Sequence, residues 1–308
     1  MRFAISTAPQ RTTWDWLLEV WKRADDIELF ESGWTFDHFY PLFGDSTEDC
    51  LEGWITLTAL LQATERLRGG VLVTGMLYRH PAVLANMAST LDITSRGRLE
   101  LGIGAGWNEE ECEAYGLHLG SMTERFDRFE EGMEVLRCLL TQDRSDFSGR
   151  YFSLTDAMNN PKGPQNPLPI CVGGAGLKRT LPAAARYAHH WNYGSPTMSV
   201  EDFAMRRDVF LRHLAEAGRS REEVRSRLSF GTAATSMPWP TKRRPSRTLG
   251  WISGSSPSPK PTNHRSSNRS LGRSLHWSEA LSSPGRARSI RTDWTIERSS
   301  CSTPRRLP

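Results

Sequence analysis

The sequence predicts an α/β protein, a (β/α)8 barrel, within residues 1–235. Segments typical of strands alternate with segments typical of helices, which implies parallel strands joined by crossover helices. A doubly wound sheet has the same alternation, but six or seven strand–helix units in 235 residues fit the spacing of a barrel, which typically takes ~250 residues. Glycine and polar residues also follow the predicted strands, at the end where a barrel carries its site.

Four strand–helix units make up the first half of this region. Short apolar runs predict the strands, and apolar residues at helical spacing predict the helices. Pro81 suits the first turn of a helix. The predicted units are strand 2–6 with helix 14–31, strand 33–36 with helix 53–66, strand 71–73 with a helix from Pro81, and strand 98–103 with helix 122–140.

The second half begins with a long connection. Residues 141–169 are rich in Asn, Pro and Gly and are too long for a plain link, which predicts an insertion loop. Two further units and a last strand follow it. They are strand 170–172 with helix 177–188, strand 190–193 with helix 200–217, and strand 227–231.

Charge is unevenly distributed along the 308 residues. The net charge of +4 combines 25 basic and 32 acidic residues in 1–235 with 14 basic and three acidic residues in 236–308, which excludes a uniformly basic protein. No apolar run approaches the ~18–20 residues of a membrane span, so we expect no membrane partner. The apolar stretch after Met1 is too short for a secretory signal. Five scattered cysteines without a C-x-x-C pair favour a reducing, cytoplasmic setting and speak against a zinc site or a disulfide framework.

Two predicted strands end in residues suited to chemistry. Asp37 and His38 follow the second strand, and a histidine can donate a proton near neutral pH while an adjacent acid orients it or binds a cofactor. A helix-capping Asp37 and a packed His38 are the equally weighted alternative. Thr74 and Gly75 follow the third strand, where glycine lets a flat ring approach the main chain; an ordinary turn is the simpler alternative.

The fourth strand ends in a glycine-rich stretch, residues 102–106, followed by Asn108. Its G-x-G-x-G spacing lacks the third glycine of a dinucleotide fingerprint and lies in mid-chain, so it is a weak signal for a Rossmann fold. A floor of small residues under a planar cofactor, with Asn108 as a polar contact, fits better. The acidic run 109–111 predicts a solvated first helical turn, and we expect no metal cluster there.

The fifth strand leads into the glycine-rich stretch 173–176 and then a helix. Such a turn presents free N–H groups at the positive end of a helix dipole, which favours a phosphate, and Lys178 and Arg179 add positive charge. A plain turn is the alternative. His189 and His190 follow on the next strand, where adjacent side chains point to opposite faces, so they do not predict a shared metal.

Six stretches in family order resemble the luciferase-like monooxygenase superfamily, and within it the deazaflavin-dependent oxidoreductases of actinobacterial type. The resemblance covers about the first 230 residues and rests on residues 24–32 (ADDIELFES), 34–42 (WTFDHFYPL), 74–86 (TGMLYRHPAVLAN), 102–111 (GIGAGWNEEE), 123–131 (TERFDRFEE) and 173–181 (GGAGLKRTL).

The resemblance implies a barrel of the bacterial-luciferase type that binds coenzyme F-420 and moves a hydride between it and an unknown small organic substrate. His38 would be the catalytic residue, near the ring and the substrate. The step from Thr74 to Gly75 would be a bulge behind the ring, often a non-prolyl cis peptide. The implied cofactor-binding residues are Asp37, Thr74, Gly75, Gly104, Ala105, Gly106, Asn108, Gly173, Gly174, Ala175 and Gly176.

One departure limits the substrate. The sugar-phosphate dehydrogenases of this superfamily have a glutamate general acid where this chain has Ala105, so we do not predict a sugar phosphate. The superfamily also contains FMN-dependent monooxygenases, which leaves FMN as the alternative cofactor. The partners expected are a small-molecule substrate and a second copy of the chain in a homodimer.

Residues 236–308 depart from the resemblance. Where relatives close the barrel, this chain is rich in Ser, Pro and Arg, so we expect a barrel incomplete at its C-terminus and a disordered tail. Such a composition is typical of a GC-rich gene translated out of frame, which predicts a frameshift near residues 233–237 and, as one alternative, an inactive product. A genuine basic tail that binds nucleic acid is the other alternative, and we expect no such partner because no folded nucleic-acid motif accompanies it.

Overall fold

The computed structural model describes residues 3–194 and 199–229, and of residues 225–229 the backbone alone. Strands and helices alternate as the sequence predicts. In chain order they are β1 (Phe3–Ser6), α1 (Trp14–Asp25), β2 (Phe30–Thr35), α2 (Gly53–Gln62), β3 (Arg68–Val71), β4 (Thr74–Gly75), α3 (Pro81–Thr94), β5 (Leu101–Gly104), α4 (Glu109–Ala114), α5 (Met122–Thr141), β6 (Ser145–Ser148), β7 (Ser153–Ala157), β8 (Ile170–Gly173), α6 (Thr180–Tyr187), β9 (His190–Gly194), α7 (Val200–Glu216) and β10 (Arg225–Ser229).

The strands other than β6 and β7 are parallel and follow one another in barrel order. β1, β2 and β3 form one sheet, and β4, β5, β8, β9 and β10 form a second. β3 and β4 are two segments of one path, and a parallel bridge between Gly69 and Leu99 places β3 next to the chain that enters β5. The described residues thus supply seven neighbouring positions of a (β/α)8 barrel. The expected missing closure and the basic tail, residues 236–308, lie outside the described residues.

Glycines make room for large side chains inside the barrel and behind it. A Cβ at Gly70 would lie 2.5 Å from Cζ3 of Trp34, whose ring is 1% exposed and fills the space between the strands. A Cβ at Gly33 would lie 2.6 Å from Cη2 of Trp21, so α1 packs its indole directly on β2. At about 25 cal/mol per Å² and ~150–250 Å² per ring, burial of each indole contributes roughly 4–6 kcal/mol.

Helix α1 ends at Asp25 and not at residue 31 as predicted, and α2 ends at Gln62 and not at residue 66. Arg66 explains both differences. Its guanidinium donates to the carbonyl oxygens of Ala24 and Ile27, at 3.1 and 2.8 Å, while the Asp25 carboxylate accepts from the amides of Glu65, Arg66 and Leu67. These polar contacts satisfy backbone groups at the helix ends, and apolar spacing does not reveal them.

The insertion 141–169 contains an antiparallel hairpin, β6–β7, where the sequence predicted only a loop. Glu131 of α5 binds its turn by accepting from the amides of Tyr151 and Phe152. Asn159, buried behind the hairpin, donates to the hydroxyl of Ser89 at 2.8 Å and to the carbonyl of Leu139 at 3.2 Å. The insertion is therefore fixed to α3 and α5.

A buried ion-pair cluster lies at the amino end of the strands. Glu100 precedes β5, and its carboxylate lies 2.8 Å from Nε of Arg68, the first residue of β3, and 2.7 Å from Nδ1 of His190, the first residue of β9. Charged groups at this end of a barrel contribute to stability, since the chemistry of barrels lies at the opposite end. In the described part of the chain, no helix is both long and apolar enough to cross a membrane.

Candidate active site

Residues that follow β2, β4, β5 and β8 meet at the carboxyl edge of the barrel. Val73 shows this most directly, because it fills the space beside two glycines on neighbouring strands. A Cβ at Gly104 would lie 2.8 Å from Cγ2 of Val73, and a Cβ at Gly173 would lie 2.8 Å from Cγ1 of the same side chain. Val73, Gly104 and Gly173 thus form a compact surface, here called the glycine cradle.

The non-prolyl cis peptide joins Leu72 to Val73, so the expected position at Thr74–Gly75 is wrong. The interruption between β3 and β4 falls at the same two residues, because Thr74 and Gly75 already pair in parallel with β5. Thr74 is fully buried, and its hydroxyl accepts a hydrogen bond from Nε1 of Trp54 at 2.7 Å. The cis peptide and the interruption between the strands thus lie two residues before the predicted Thr74–Gly75 step.

Asp37 is buried beside Thr74 and pairs with an arginine that the sequence did not single out. Arg79 donates to the two carboxylate oxygens of Asp37 at 2.5 and 3.1 Å and also lies 2.7 Å from Glu52 of the α2 N-terminus. Burial raises the pKa of Asp37, and the hydrogen bonds and charge of Arg79 oppose that shift. The pair places one anion and one cation on the rim next to the cradle.

His38 is 9% exposed and binds a carboxylate from a distant part of the chain. Its Nδ1 lies 2.9 Å from Oε2 of Glu111. Phe36 and Trp107 contact the imidazole edge-on, with ring centroids at 5.2 and 5.6 Å. Within the described residues, Nε2 of His38 has no hydrogen-bond partner, so this nitrogen is available to a bound molecule.

The residues after β5 form a tight turn that leads to α4. Gly106 has φ = +87°, and a Cβ there would lie 2.3 Å from Cδ2 of Leu77, so this position requires glycine. Ala105 lies between Gly104 and Gly106 at the same edge. Asn108 is 7% exposed and caps α4 by accepting from the amide of Glu111 at 3.2 Å. Its side chain thus has a structural function, and the predicted contact of Asn108 with a cofactor stays a prediction.

The stretch 173–176 leaves backbone donors free. Gly174 has φ = +114°, and its amide donates to the carbonyl of Asn192 at 3.0 Å. Among the described residues, no acceptor meets the amides of Ala175, Gly176 and Leu177. Successive free N–H groups are the donors that backbone anion sites use.

The helix after this stretch begins later than predicted. α6 starts at Thr180, not at residue 177, and a turn separates it from Gly176. Arg179 does not face the free amides as a lone cation, because it pairs with Asp127 at 2.8 Å and Glu130 at 3.0 Å. The exposed Lys178 is the basic residue here that has no ion pair within the described part of the chain. The positive charge for an anion therefore comes from Lys178 and the amides.

Comparison with known proteins decides the family. The model of the luciferase-like monooxygenase family matches residues 1–241. The chain belongs to this family. It is 29% identical over 210 residues to an F-420-dependent glucose-6-phosphate dehydrogenase of Amycolatopsis mediterranei, covering 68% of this chain and 60% of that protein. It is 36% identical over 138 residues to pyrimidine monooxygenase RutA of Cronobacter sakazakii, covering 43% of this chain and 40% of that protein.

A solved structure of the same fold is an F-420-dependent secondary alcohol dehydrogenase in complex with an F-420–acetone adduct. It aligns with a TM-score of 0.63 and 25% identity, over 74% of this chain and 68% of that one. The predicted luciferase-like (β/α)8 fold is confirmed. The chain spans about two fifths to three fifths of the length of the two curated relatives named above.

Sequence reasoning did not single out three residues that lie in the candidate site. Arg79 and Tyr78 lie between the bulge and α3, and Glu111 lies in an acidic run that looked solvated. The expectation of a solvated first turn is wrong for Glu111, which is fully buried, while Glu109 and Glu110 are exposed. The neighbouring residue Cys112 could have indicated that Glu111 is buried, because an apolar residue marks the inward face of this turn. No group of three or more metal-binding side chains occurs in the part of the chain that the structure describes.

Proposed function

We propose that this chain is an oxidoreductase that transfers a hydride between coenzyme F-420 and a small organic substrate. The observation that carries the proposal is that the glycine cradle and His38 both lie at the carboxyl edge of the barrel. Relatives of two kinds support it, since the dehydrogenase of Amycolatopsis and the structurally similar alcohol dehydrogenase both bear F-420 in their names. Ala105 stands where a sugar-phosphate dehydrogenase would have its glutamate, so the proposal does not include a sugar phosphate.

The residues present fit a flat ring that bears a phosphate. Gly104 and Gly173 leave room for the side chain of Val73, which is half-buried, so the cradle offers a small apolar surface against which a ring can pack. Asp37, the Thr74–Gly75 step, Gly104–Gly106 and Asn108 would surround the ring. The free amides after Gly174, together with Lys178, would bind the phosphate. When bound, F-420 would supply the hydride acceptor or donor.

His38 would manage the substrate proton. Its Nε2 has no partner among the described residues, while Nδ1 is held by Glu111 at 2.9 Å. An imidazole in this arrangement can accept a proton from a hydroxyl or return one to a carbonyl oxygen near neutral pH. Phe36 and Trp107 contact the imidazole edge-on and would hold its orientation.

FMN is the second candidate cofactor. The likeness to a pyrimidine monooxygenase favours it, and FMN offers the same combination of a flat ring and a phosphate. The glycine cradle and the free amides accommodate either group. An FMN-dependent monooxygenase is therefore the alternative function.

Titration of the purified full chain with coenzyme F-420 and, separately, with FMN tests the proposal. We expect saturable binding of one F-420 per chain and weaker binding of FMN. The change in cofactor fluorescence measures both. Tight binding of FMN alone would transfer the proposal to a flavin monooxygenase. Binding of neither would defeat both functions and favour an inactive product of a shifted reading frame.

A further inference from the structure

Glu111 is a fully buried carboxylate that accepts hydrogen bonds from three donors. Its Oε2 lies 2.9 Å from Nδ1 of His38 and 2.6 Å from the hydroxyl of Tyr78, and its Oε1 accepts from the amide of Phe39 at 2.8 Å. Both oxygens are therefore engaged, and two of the three donors come from the strand end that carries His38.

This arrangement determines which nitrogen of His38 carries the proton. A carboxylate has no proton to donate, so Nδ1 must carry one to make the contact. In a neutral imidazole the second nitrogen, Nε2, is then a bare acceptor. Burial, and then the hydrogen bond and charge of Glu111, raise the pKa of Tyr78, so its phenol keeps its proton and continues to donate.

We propose that Glu111 is a positioning residue that keeps the proton of His38 on Nδ1 and so presents Nε2 as an acceptor. This inference rests on the proposed function. A substrate hydroxyl would transfer its proton to Nε2, and bound F-420 would supply the hydride acceptor, so that the carbon bearing the hydroxyl becomes a carbonyl. The resulting imidazolium is then paired with Glu111. In the reverse direction the same imidazolium returns its proton to the carbonyl oxygen.

The substitution E111Q reverses the donor pattern without changing the shape of the side chain. The amide of Phe39 can only donate, so it selects the Gln oxygen for its side of the group. The Gln NH2 then faces His38 and Tyr78. The phenol can switch to accepting, and His38 can do so only with its proton on Nε2. E111Q therefore moves the proton of His38 from Nδ1 to Nε2.

Nitrogen-15 NMR of histidine-labelled full-length protein measures this directly and needs no cofactor. The signal of His38 is identified by its loss in H38Q. We expect an Nδ1–H tautomer in the wild type and an Nε2–H tautomer in E111Q. The matched control is E110Q, the same change one residue earlier at an exposed position, and it should leave the Nδ1–H tautomer unchanged. Y78F, which removes a donor and keeps the carboxylate, should also retain Nδ1–H.

An Nδ1–H signal that persists in folded E111Q would overturn the inference. If E111Q does not accumulate as folded protein, the wild type still tests the inference. An Nε2–H tautomer of His38 in the wild type would also overturn it. Because the NMR measurement is made without cofactor, its outcome is independent of the titrations with F-420 and FMN. A failure of the proposed function and a failure of the role of Glu111 are therefore distinguishable.

Discussion

At the scale of single residues, the site depends on glycines, which have no side chain, as much as on its polar residues. The isopropyl group of Val73 occupies the space that a Cβ at Gly104 or Gly173 would need. Neither glycine has a positive φ, so the requirement at these positions is steric and does not come from the backbone. A methyl group added here would displace Val73 or the strand.

The substitution G104A should therefore destabilise the fold by about 1–3 kcal/mol, as overpacking of a filled core does. The cost should fall below about 0.5 kcal/mol in a V73A background, because the smaller side chain leaves room for the new methyl group. Urea unfolding of the wild type, the two single variants and the double variant measures both values. An equal cost of G104A in the two backgrounds would show that Val73 does not define the cradle.

Candidate site residues could be predicted from the sequence where the pattern that indicates them is local. Asp37, His38 and the glycines after β5 and β8 stand at strand ends, and strand ends could be placed from apolar runs. Glu111 was not predictable, because its partner His38 is 73 residues away and the neighbouring glutamates are exposed. The pairing of Arg79 with Asp37 likewise joins two strand ends that only the barrel brings together.

At the scale of secondary-structure elements, the Arg68–Glu100–His190 cluster joins β3, β5 and β9 at the amino end of the barrel. Burial alone would raise the pKa of Glu100, but His190 and Arg68 outweigh it and lower the pKa from 4.5 to about 2. Folding therefore favours the ionised form of Glu100. Its contribution to stability is complete above pH 4.5 and is lost as the pH falls towards 2.

The difference in unfolding free energy between the wild type and E100Q should accordingly shrink on acidification. The pH-dependent part is about 3 kcal/mol, from the size of the pKa shift. Urea unfolding from neutral pH down to about pH 3 should show about 2 kcal/mol of it, because the remainder is lost only as the pH falls to 2 and below. E113Q, which changes an exposed glutamate, should show no such trend. A difference for E100Q that stays constant over this range would contradict the account of the cluster.

Element boundaries were less predictable than element order. Every predicted strand and long helix has a counterpart, but polar contacts with distant residues set where the helices end, as Arg66 shows for α1 and α2. The hairpin β6–β7 was missed because Asn, Pro and Gly dominate its surroundings, and its turn is held by Glu131 of a different element. Local composition carries no information on such partners.

At the scale of the whole molecule, the described residues form seven adjacent strand positions of a luciferase-like barrel. The two edges of this barrel differ in chemistry. The carboxyl edge holds the cradle, the His38–Glu111 pair and the free amides, whereas the amino edge holds the buried Glu100 cluster. The prediction of a basic tail, a shifted reading frame and an unclosed barrel concerns residues outside that description. Sequencing of the gene tests it, since a closing strand–helix unit should appear in another frame.

The central claim is that the carboxyl edge is the cofactor site. Hydrogen–deuterium exchange of the full chain, with and without coenzyme F-420, tests it most directly. We predict that F-420 slows exchange at the amides of residues 73–75, 104–108 and 175–177 and leaves the amides around Arg68, Glu100 and His190 unchanged. Protection at the amino edge, or none at the three predicted segments under saturating F-420, would contradict the claim.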